Sequence, residues 1–234
     1  AHALPEMRMP PELADLPFFA ALTPDQLRII AQGMGRVTLE PGENLFLQGD
    51  AAARFFLLLD GRLKVTQLTE DGQQFIVRIV HPGELCGFGP AIGRTTFPGS
   101  AEAIVPSHLL AWPRARWEPL IAAAPALAVS AIQAVGRKLD EAHTRLREMS
   151  TEDAGRRVAH LLLRLARQAT PGTGPVEIPF PLTRQDLADM SGNTLHTVSR
   201  IMAAWEAGGI LLRARRRVII ADLAGLAAIA EGQT

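Results

Sequence analysis

The sequence predicts an α+β chain, and three features of its 234 residues lead to that prediction. Short apolar or alternating runs separated by turn signals occupy residues 18–113. A helical pattern with a narrow apolar seam covers residues 116–149. Two short helices joined by a glycine turn, and then a basic hairpin, lie between residues 182 and 220. The order is therefore an all-β region, a long helix and a small mixed domain.

The N-terminal region has the pattern of a barrel or a sandwich of short strands. Runs rich in aliphatic and aromatic side chains recur at residues 36–39, 44–47, 55–59, 63–66, 75–80 and 108–112. Pro-Gly, Gly-Asp and Asp-Gly pairs separate several of these runs, and Asp71-Gly72 between two of them is a hairpin signal. Strands as short and as closely spaced as these are typical of β-barrels and β-sandwiches.

The long helix predicted over residues 116–149 carries an apolar seam whose members recur at alternating steps of three and four residues. They are Ile132, Val135, Leu139, Ala142, Leu146 and Met149. The intervening residues are mostly charged, and so narrow a seam favours pairing with a second helix over packing on a sheet. An amphipathic helix packed on its own domain is the alternative. Residues 150–153 have a helix-start pattern, which predicts a hinge before a further helix at 154–168.

The C-terminal region has the local signals of a helix-turn-helix. Thr183 and Asp186 form a capping-box pattern, and Gly192 lies in a turn that precedes a second helix beginning near Thr194. The helical period assigns Leu195, Val198 and Met202 to the buried face of that second helix. The opposite, exposed face then carries His196, Ser199 and Arg200.

A basic hairpin is predicted directly after the helix-turn-helix. Residues 213–217 hold four arginines in five positions, and apolar runs flank them on both sides. A solvated basic turn is the alternative interpretation. Beside a helix-turn-helix, whose second helix enters the major groove of DNA, such a tip could neutralise phosphates. The two features together indicate a winged helix-turn-helix that binds DNA.

These residues resemble the DNA-binding domain of the cyclic-AMP receptor protein and FNR (CRP/FNR) family of bacterial transcription regulators. The match lies in Thr-Arg-Gln-Asp at 183–186, in Gly192 and in Thr-Val-Ser-Arg at 197–200. The chain departs from the family at Leu195-His196, where many members have Arg-Glu. Residues 40–43 and 59–65 likewise resemble the β-roll of the family, so the resemblance extends from residue 17 to residue 223.

The resemblance implies three domains: a β-roll sensor with an N-terminal helical segment at 1–115, a dimerisation helix at 116–149 and a winged helix-turn-helix at 150–234. It implies a homodimer joined along the seam, an inverted-repeat site in double-stranded DNA, a small effector and RNA polymerase as a further partner. His196, Ser199 and Arg200 would read bases. The residues expected at phosphates are Arg184, Thr194, Thr197, Arg213, Arg215, Arg216 and Arg217.

The effector is not expected to be cyclic AMP. Family members that bind a cyclic nucleotide carry Gly-Glu-apolar-x-Gly-Glu, and then an arginine that pairs with the phosphate. Phe88 and Gly99 stand where the second glutamate and that arginine belong, and an arginine–phosphate pair is hard to replace. A divergent cassette that uses Arg94 is the alternative. The expected effector pocket comprises Gly83, Glu84, Leu85, Phe88, Phe97 and Ser100, although ordinary core is the other interpretation of both phenylalanines.

The same residues argue against several other cofactors and functions. The single cysteine, Cys86, cannot supply the roughly four ligands of an iron–sulfur cluster and suits a reducing cytoplasm. A likeness to the nitrogen-oxide-responsive branch of the family implies haem or nitric oxide, although no histidine spacing identifies a haem site. A cupin-like metal enzyme would need His-x-His, which is absent, so no enzyme is expected. No apolar run approaches the ~20 residues of a membrane span, and the chain begins without a signal-peptide core, which predicts a cytoplasmic location.

Overall fold

The computed structural model describes residues 16, 18–87, 89, 93–169 and 174–233. The chain forms two compact units. One consists of Ala1–Val65 together with Ile79–Leu139, and the other of Thr66–Arg78 together with Asp140–Thr234. The expected α+β architecture of a β-roll, a long helix and a C-terminal helix-turn-helix is confirmed.

The β-roll is formed by strands that pair into two sheets. The strands are β1 (Gly35–Leu39), β2 (Asn44–Phe46), β3 (Arg54–Asp60), β4 (Leu63–Leu68), β5 (Gln74–Val80), β6 (Leu85–Cys86), β7 (Ser100–Ala103) and β8 (Ser107–Pro113). Their order in the described part of the chain is β1-β8-β3-β6 in one sheet and β2-β7-β4-β5 in the other. Every run predicted as a strand is confirmed. The strands β6 and β7 were not predicted. The strand β6 has only two residues, and β7 (Ser-Ala-Glu-Ala) has no large apolar side chain, so neither shows a periodic pattern.

A tryptophan anchors the end of the β-roll. The first helix, α1 (Pro24–Ala31), begins at a capping box formed by Thr23 and Gln26. Trp112, 1% exposed, donates its indole N–H to the carbonyl of Ile30 over 2.7 Å and stacks on Phe55 with ring centroids 5.5 Å apart. The buried indole therefore has the hydrogen-bond partner that it needs, and α1 is held against the sheet by both a polar and an apolar contact.

The long helical segment is broken where one uninterrupted helix was predicted over residues 116–149. The structure has α2 (Trp117–Ala123) and α3 (Ala126–Thr151), and the helical segments on either side of the break are bent by 117°. Pro125 lies in the break, where its ring cannot donate the hydrogen bond that a continuous helix requires. The seam residues all lie on α3. The next helix, α4 (Ala154–Ala166), has Asp153 as its N-cap, and the Asp153 carboxylate accepts the N–H of Arg156 over 3.0 Å.

The C-terminal unit packs helices on a small sheet. Its remaining helices are α5 (Arg184–Ser191), α6 (Leu195–Ala207) and α7 (Leu223–Glu231), and its strands are β9 (Val176–Glu177), β10 (Leu211–Leu212) and β11 (Ile219–Ile220) in the order β10-β11-β9. The antiparallel pair β10–β11 is the predicted wing hairpin. Fully buried Leu162, Val198, Ile220 and Leu226 contribute core side chains from four different elements.

Within the described residues, no single helix has both the length and the apolar character needed to cross a membrane. One bent pair, Arg114–Ala123 with Ala126–Thr151, meets those two criteria by length and composition alone.

Candidate functional site

The helix-turn-helix is set by three local features, of which the sequence predicts the first two. The hydroxyl of Thr183 accepts the N–H of Asp186 over 3.0 Å, and the Asp186 carboxylate accepts the N–H of Thr183 over 2.8 Å. Gly192 ends α5 in the left-handed conformation, with φ 64°, where a side chain would be strained. Thr194 caps α6 through the N–H of Thr197 over 3.1 Å. These contacts fix the direction in which α6 leaves the turn.

The outward face of α6 carries the residues expected to read bases. His196 and Arg200 are exposed and Ser199 is half-buried, whereas Val198 and Met202 are buried beneath them. The assignment of Leu195 to the buried face is wrong, because its side chain is 45% exposed. Leu195 is the first residue of α6 and shares an i, i+4 row with Ser199, which places it at the margin of the buried arc.

The arginines of the wing fall into two groups. Arg213, Arg215 and Arg216 are exposed at the tip of the hairpin. Arg217 instead forms a two-bond ion pair with Glu177 of β9. Hydrogen bonding to Arg217 lowers the pKa of Glu177, and the same contact raises the pKa of Arg217. Arg213, Arg215 and Arg216 thus present their charge to solvent, whereas the charge of Arg217 is already paired with a carboxylate.

The helix residues expected at phosphates also have partners within the fold. Arg184 pairs with Glu206 of α6 over 3.1 Å, so it braces the two helices of the motif against each other. The hydroxyls of Thr194 and Thr197 lie 2.9 Å apart at the start of α6. A threonine pair at the beginning of a helix is placed where backbone N–H groups attract anions.

Arg216 has an unusual backbone conformation. Its φ is 57°, and it is the only non-glycine residue with a positive φ in the described part of the chain. The left-handed conformation costs an ordinary residue roughly 1–2 kcal/mol, and glycine would avoid that cost. Local strain of this kind is often retained where a side chain has a function.

Arg157 joins three segments of the C-terminal unit, and sequence reasoning missed it. From α4, its guanidinium donates to the carbonyl of Glu152 over 2.7 Å, to the carbonyl of Ser191 over 3.2 Å and to the side-chain oxygen of Asn193 over 2.6 Å. The end of α3 and the turn before α6 are thereby tied to one side chain. Its partners in the turn lie 34 and 36 residues away along the chain, so no local signal could have revealed the contact.

A second polar contact lies one helical turn earlier on α3. Glu148 is only 5% exposed, and its carboxylate accepts a hydrogen bond from Arg164 of α4. Neighbouring Arg145 donates to the carbonyl of Val77 in the β4–β5 hairpin. Burial, together with the repulsion of Arg164, lowers the pKa of Arg145. The last turns of α3 are therefore held by buried Glu148 and half-buried Arg145.

The apolar seam of α3 is exposed to solvent in the single chain. Ile132 is 71% exposed, Leu146 is 64% exposed, and the other predicted members are exposed as well. Val129, three residues before Ile132, is also 55% exposed and was not among the predicted seam residues. A continuous apolar stripe this long is typical of a surface that another protein covers.

The interior of the β-roll beside the expected effector pocket is filled by aromatic rings. Phe46 and Phe97 stack with centroids 3.8 Å apart, and Phe56 lies 6.0 Å from Phe46. A Cβ atom added to Gly87 would lie 3.0–3.3 Å from all three rings. Phe97 is buried in the core, as the alternative interpretation of that residue held, and Leu85 is buried as well. Phe88 lies outside the described residues.

The polar members of the expected pocket are engaged by neighbouring groups. The Glu84 carboxylate accepts the N–H of His81 over 3.1 Å and lies 3.6 Å from the ammonium group of Lys138. The hydroxyl of Ser100 accepts the N–H of Gln48 over 2.9 Å. Gly83 takes a positive φ of 84° in the turn before β6. Among the described residues, no group of three or more His, Cys, Asp or Glu is arranged to hold a metal ion.

Comparison with known proteins gives matches over both units. Residues 156–229 match the Crp-like helix-turn-helix domain, and residues 36–124 match the cyclic nucleotide-binding domain. A cyclic AMP receptor protein of Thermus thermophilus is 30% identical over 216 residues, which are 92% of this chain and 97% of that protein. The transcriptional activator FnrA of Stutzerimonas stutzeri is 27% identical over 83% of this chain and 80% of its own. The solved structure of FixK2 from Bradyrhizobium japonicum superposes with a TM-score of 0.72 at 22% identity, covering 83% of this chain and 96% of that one.

The exposed seam predicts how the chain assembles. Leu139→Asp would place two carboxylates opposite each other in an apolar helix pair, where their desolvation is costly. We expect this variant to sediment as a monomer. Gln133→Asp is the matched control, because it adds the same carboxylate to α3 about a third of a turn away from the seam. A Leu139→Asp protein that remained dimeric would place the interface elsewhere on the molecule.

The strained Arg216 predicts opposite effects on stability and on DNA binding. Arg216→Gly removes the strain of the left-handed conformation but raises the conformational entropy of the unfolded chain. We therefore expect the free energy of unfolding in urea to stay level or rise by up to about 1 kcal/mol. Loss of a phosphate contact should make the negative slope of log affinity against log salt concentration shallower by about 0.9 for each subunit. Arg217→Ala, which removes an arginine already paired with Glu177, should change that slope less. An unchanged slope in Arg216→Gly would mean that this side chain does not reach the backbone.

Proposed function

The chain belongs to the CRP/FNR family of bacterial transcription regulators, and from that membership we propose that it acts as an effector-controlled homodimer on an inverted-repeat DNA site. Members of this family bind DNA, act as dimers and are regulators rather than enzymes. In our proposal the parts of the chain are a sensor at residues 1–115, a dimerisation segment at 116–149 and a DNA-binding domain at 150–234. The protein would act in the cytoplasm with RNA polymerase as a further partner.

The observation that supports base reading is the outward face of α6. His196 and Arg200 are four residues apart and form one row, beside which Ser199 lies. Arginine is the best bidentate partner for the major-groove edge of guanine. We therefore assign Arg200 to a guanine in each half-site, and His196 and Ser199 to neighbouring bases. Two subunits related by a two-fold axis would bind half-sites about 34 Å apart.

Phosphate contacts in this proposal come mainly from the wing and the start of α6. Arg213, Arg215 and Arg216 are exposed, while Thr194 and Thr197 lie where α6 begins. Arg184 and Arg217 would have to exchange their partners Glu206 and Glu177 for phosphate, so their contribution should be smaller. The zero net charge of the chain makes this local patch the main source of attraction to DNA.

A neutral or apolar effector, or a cofactor held in an apolar pocket, fits the sensor better than cyclic AMP. The Phe46–Phe97 stack occupies the interior, Glu84 already has two partners, and Gly99 stands in place of the phosphate-binding arginine. Haem or nitric oxide, the signals of the nitrogen-oxide-responsive branch of the family, would be such an effector or cofactor. Response to a cyclic nucleotide is the second candidate, because the Thermus relative is by name a cyclic AMP receptor protein.

Site selection from random DNA tests the base-reading assignment. Arg200→Ala should weaken binding by about 1–3 kcal/mol per half-site and should relax the preference at one base pair, because the bidentate contact is lost. Arg215→Ala is the control: as a phosphate contact, it should weaken binding to all sequences alike. If the Arg200→Ala protein selected the same sequences with undiminished preference, the assignment of Arg200 would be wrong.

Titration calorimetry with cyclic AMP and cyclic GMP tests the effector proposal. We expect no binding at micromolar concentrations, because a phosphate–arginine bond worth about 1.5–3 kcal/mol has no donor at residue 99. Gly99→Arg restores the side chain that the family uses and should raise the affinity for cyclic AMP if the rest of the site is retained. Micromolar binding by the unaltered protein, together with tighter DNA binding, would favour the second candidate and would indicate that Arg94 replaces the missing phosphate-binding arginine.

A further inference from the structure

A cleft lies between the wing hairpin and the two helices of the helix-turn-helix, within the C-terminal unit. It has a volume of about 180 Å³. Core residues close its inner end, among them Leu182, Leu187 and Val218, which are 4%, 1% and 3% exposed. An apolar cavity of roughly 150 Å³ can hold a benzene molecule. The cleft is therefore large enough for one small ring or one short hydrocarbon chain.

One wall of the cleft is apolar and open to solvent. Leu212 of β10 and Ile219 of β11 are direct cross-strand neighbours, so their side chains lie on the same face of the hairpin. Leu212 is 45% exposed and Ile219 is half-buried, whereas the neighbouring pair Leu211 and Ile220 is 2% and 0% exposed. The wing thus buries one pair in the core and leaves the other, which lines the cleft, for a ligand to cover.

Arginines line the mouth of the cleft, and one of them has no acidic partner. Arg184 is paired with Glu206, and Arg217 is paired with Glu177, so these four charges are matched. Arg216 is exposed and forms no ion pair within the part of the chain that the structure describes. The cleft therefore combines an apolar wall with one uncompensated positive charge.

These two properties define the chemistry of the occupant. Its body must be apolar and small, and it must carry one negative charge. Guanidinium binds a carboxylate through two parallel hydrogen bonds, which makes the carboxylate a suitable anion. The carbonyl of Arg216 accepts the N–H of Leu182 over 3.1 Å, which holds the arginine at the mouth. We propose that the cleft binds a small aromatic or short-chain aliphatic carboxylate, with its body on Leu212 and Ile219 and its carboxylate on Arg216.

The effect on DNA rests on the proposed function and deepens it by naming a form of regulation. Arg216 is one of the arginines assigned to phosphates, and a guanidinium that holds a carboxylate cannot hold a phosphate in the same way. The ligand would therefore lower the affinity for DNA by competition for one side chain, with no change of fold. By linkage, DNA would lower the affinity for the carboxylate by the same factor.

Titration calorimetry with benzoate and hexanoate tests the cleft in the absence of DNA. We expect one saturable site per chain with a Kd of about 1 mM or below. Benzyl alcohol keeps the ring without the charge, and acetate keeps the charge without the body, so both should bind at least about tenfold more weakly. The methyl NMR signals of Leu212 and Ile219 should shift with benzoate. No saturable binding of either acid up to about 10 mM would overturn the inference.

Two variants locate the site. Arg216→Gln should weaken benzoate binding by about tenfold or more, because the charge-assisted bonds are lost. Leu212→Ala should weaken it by about fourfold for each methyl group that the ligand no longer covers. Arg213→Gln, an exposed arginine of the same loop, and Leu223→Ala, a leucine that is 44% exposed, change residues outside the cleft and are the matched controls. Benzoate binding that survives both cleft substitutions lies elsewhere and contradicts the proposal.

DNA binding to the selected site tests the regulation, with benzoate compared against acetate at the same ionic strength. Saturating benzoate should lower the affinity by about tenfold or more, and Arg216→Gln should remove most of that effect. If benzoate occupies the cleft but leaves the affinity for DNA unchanged, the proposed regulation is wrong. If the unaltered protein prefers no sequence over random DNA, the proposed function fails, whereas calorimetry still decides whether the cleft binds carboxylates.

Discussion

The C-terminal unit depends on the three hydrogen bonds of Arg157. They join the end of α3, the start of α4 and the turn between α5 and α6 through one guanidinium group. Each bond from a charged donor contributes about 1.5–3 kcal/mol. Glu148 and Arg164 add a second link between α3 and α4. A Cβ at Gly192 would lie 3.2 Å from the methyl group of Met149, so the seam helix and the turn also meet through an apolar contact. Movement of the end of α3 must therefore either carry α6 with it or break these contacts.

Much of the fold is predictable because its signals are local. Thr183, Asp186 and Gly192 act within a few residues of themselves, and the structure has them as the sequence predicts. The break at Pro125 also has a local cause, because proline lacks the N–H that a continuous helix needs, and the prediction of one helix over residues 116–149 was wrong at this point. The ion pair between Arg217 and Glu177 could not be foreseen, because the two residues lie 40 positions apart. The exposure of Leu195 was missed for a different reason: hydrophobic periodicity gives the direction of a side chain but not the extent of the surface that covers it.

The arginines of the C-terminal unit form two groups that the net charge does not reveal. Arg164 and Arg184 form ion pairs inside the fold, and Arg157 donates to neutral oxygens, so all three hold helices in position. Others are exposed on the wing at Arg213, Arg215 and Arg216. A chain with no net charge can thus combine a rigid frame with a small cationic surface. Substitutions in the first set should alter the fold, and those in the second should alter attraction to polyanions.

A dimer formed along the exposed seam of α3, as proposed above, would tie the activity of the protein to its abundance. Where most chains are unpaired, the amount of paired molecule rises with the square of the chain concentration, so halving the dose of protein leaves about a quarter of the pairs. Dilution by cell growth and a change in the rate of synthesis then act on target genes much as a signal does. An effector that strengthened the pair would be equivalent to a larger dose. In that proposal the exposed stripe on α3 would make gene dosage an input to regulation.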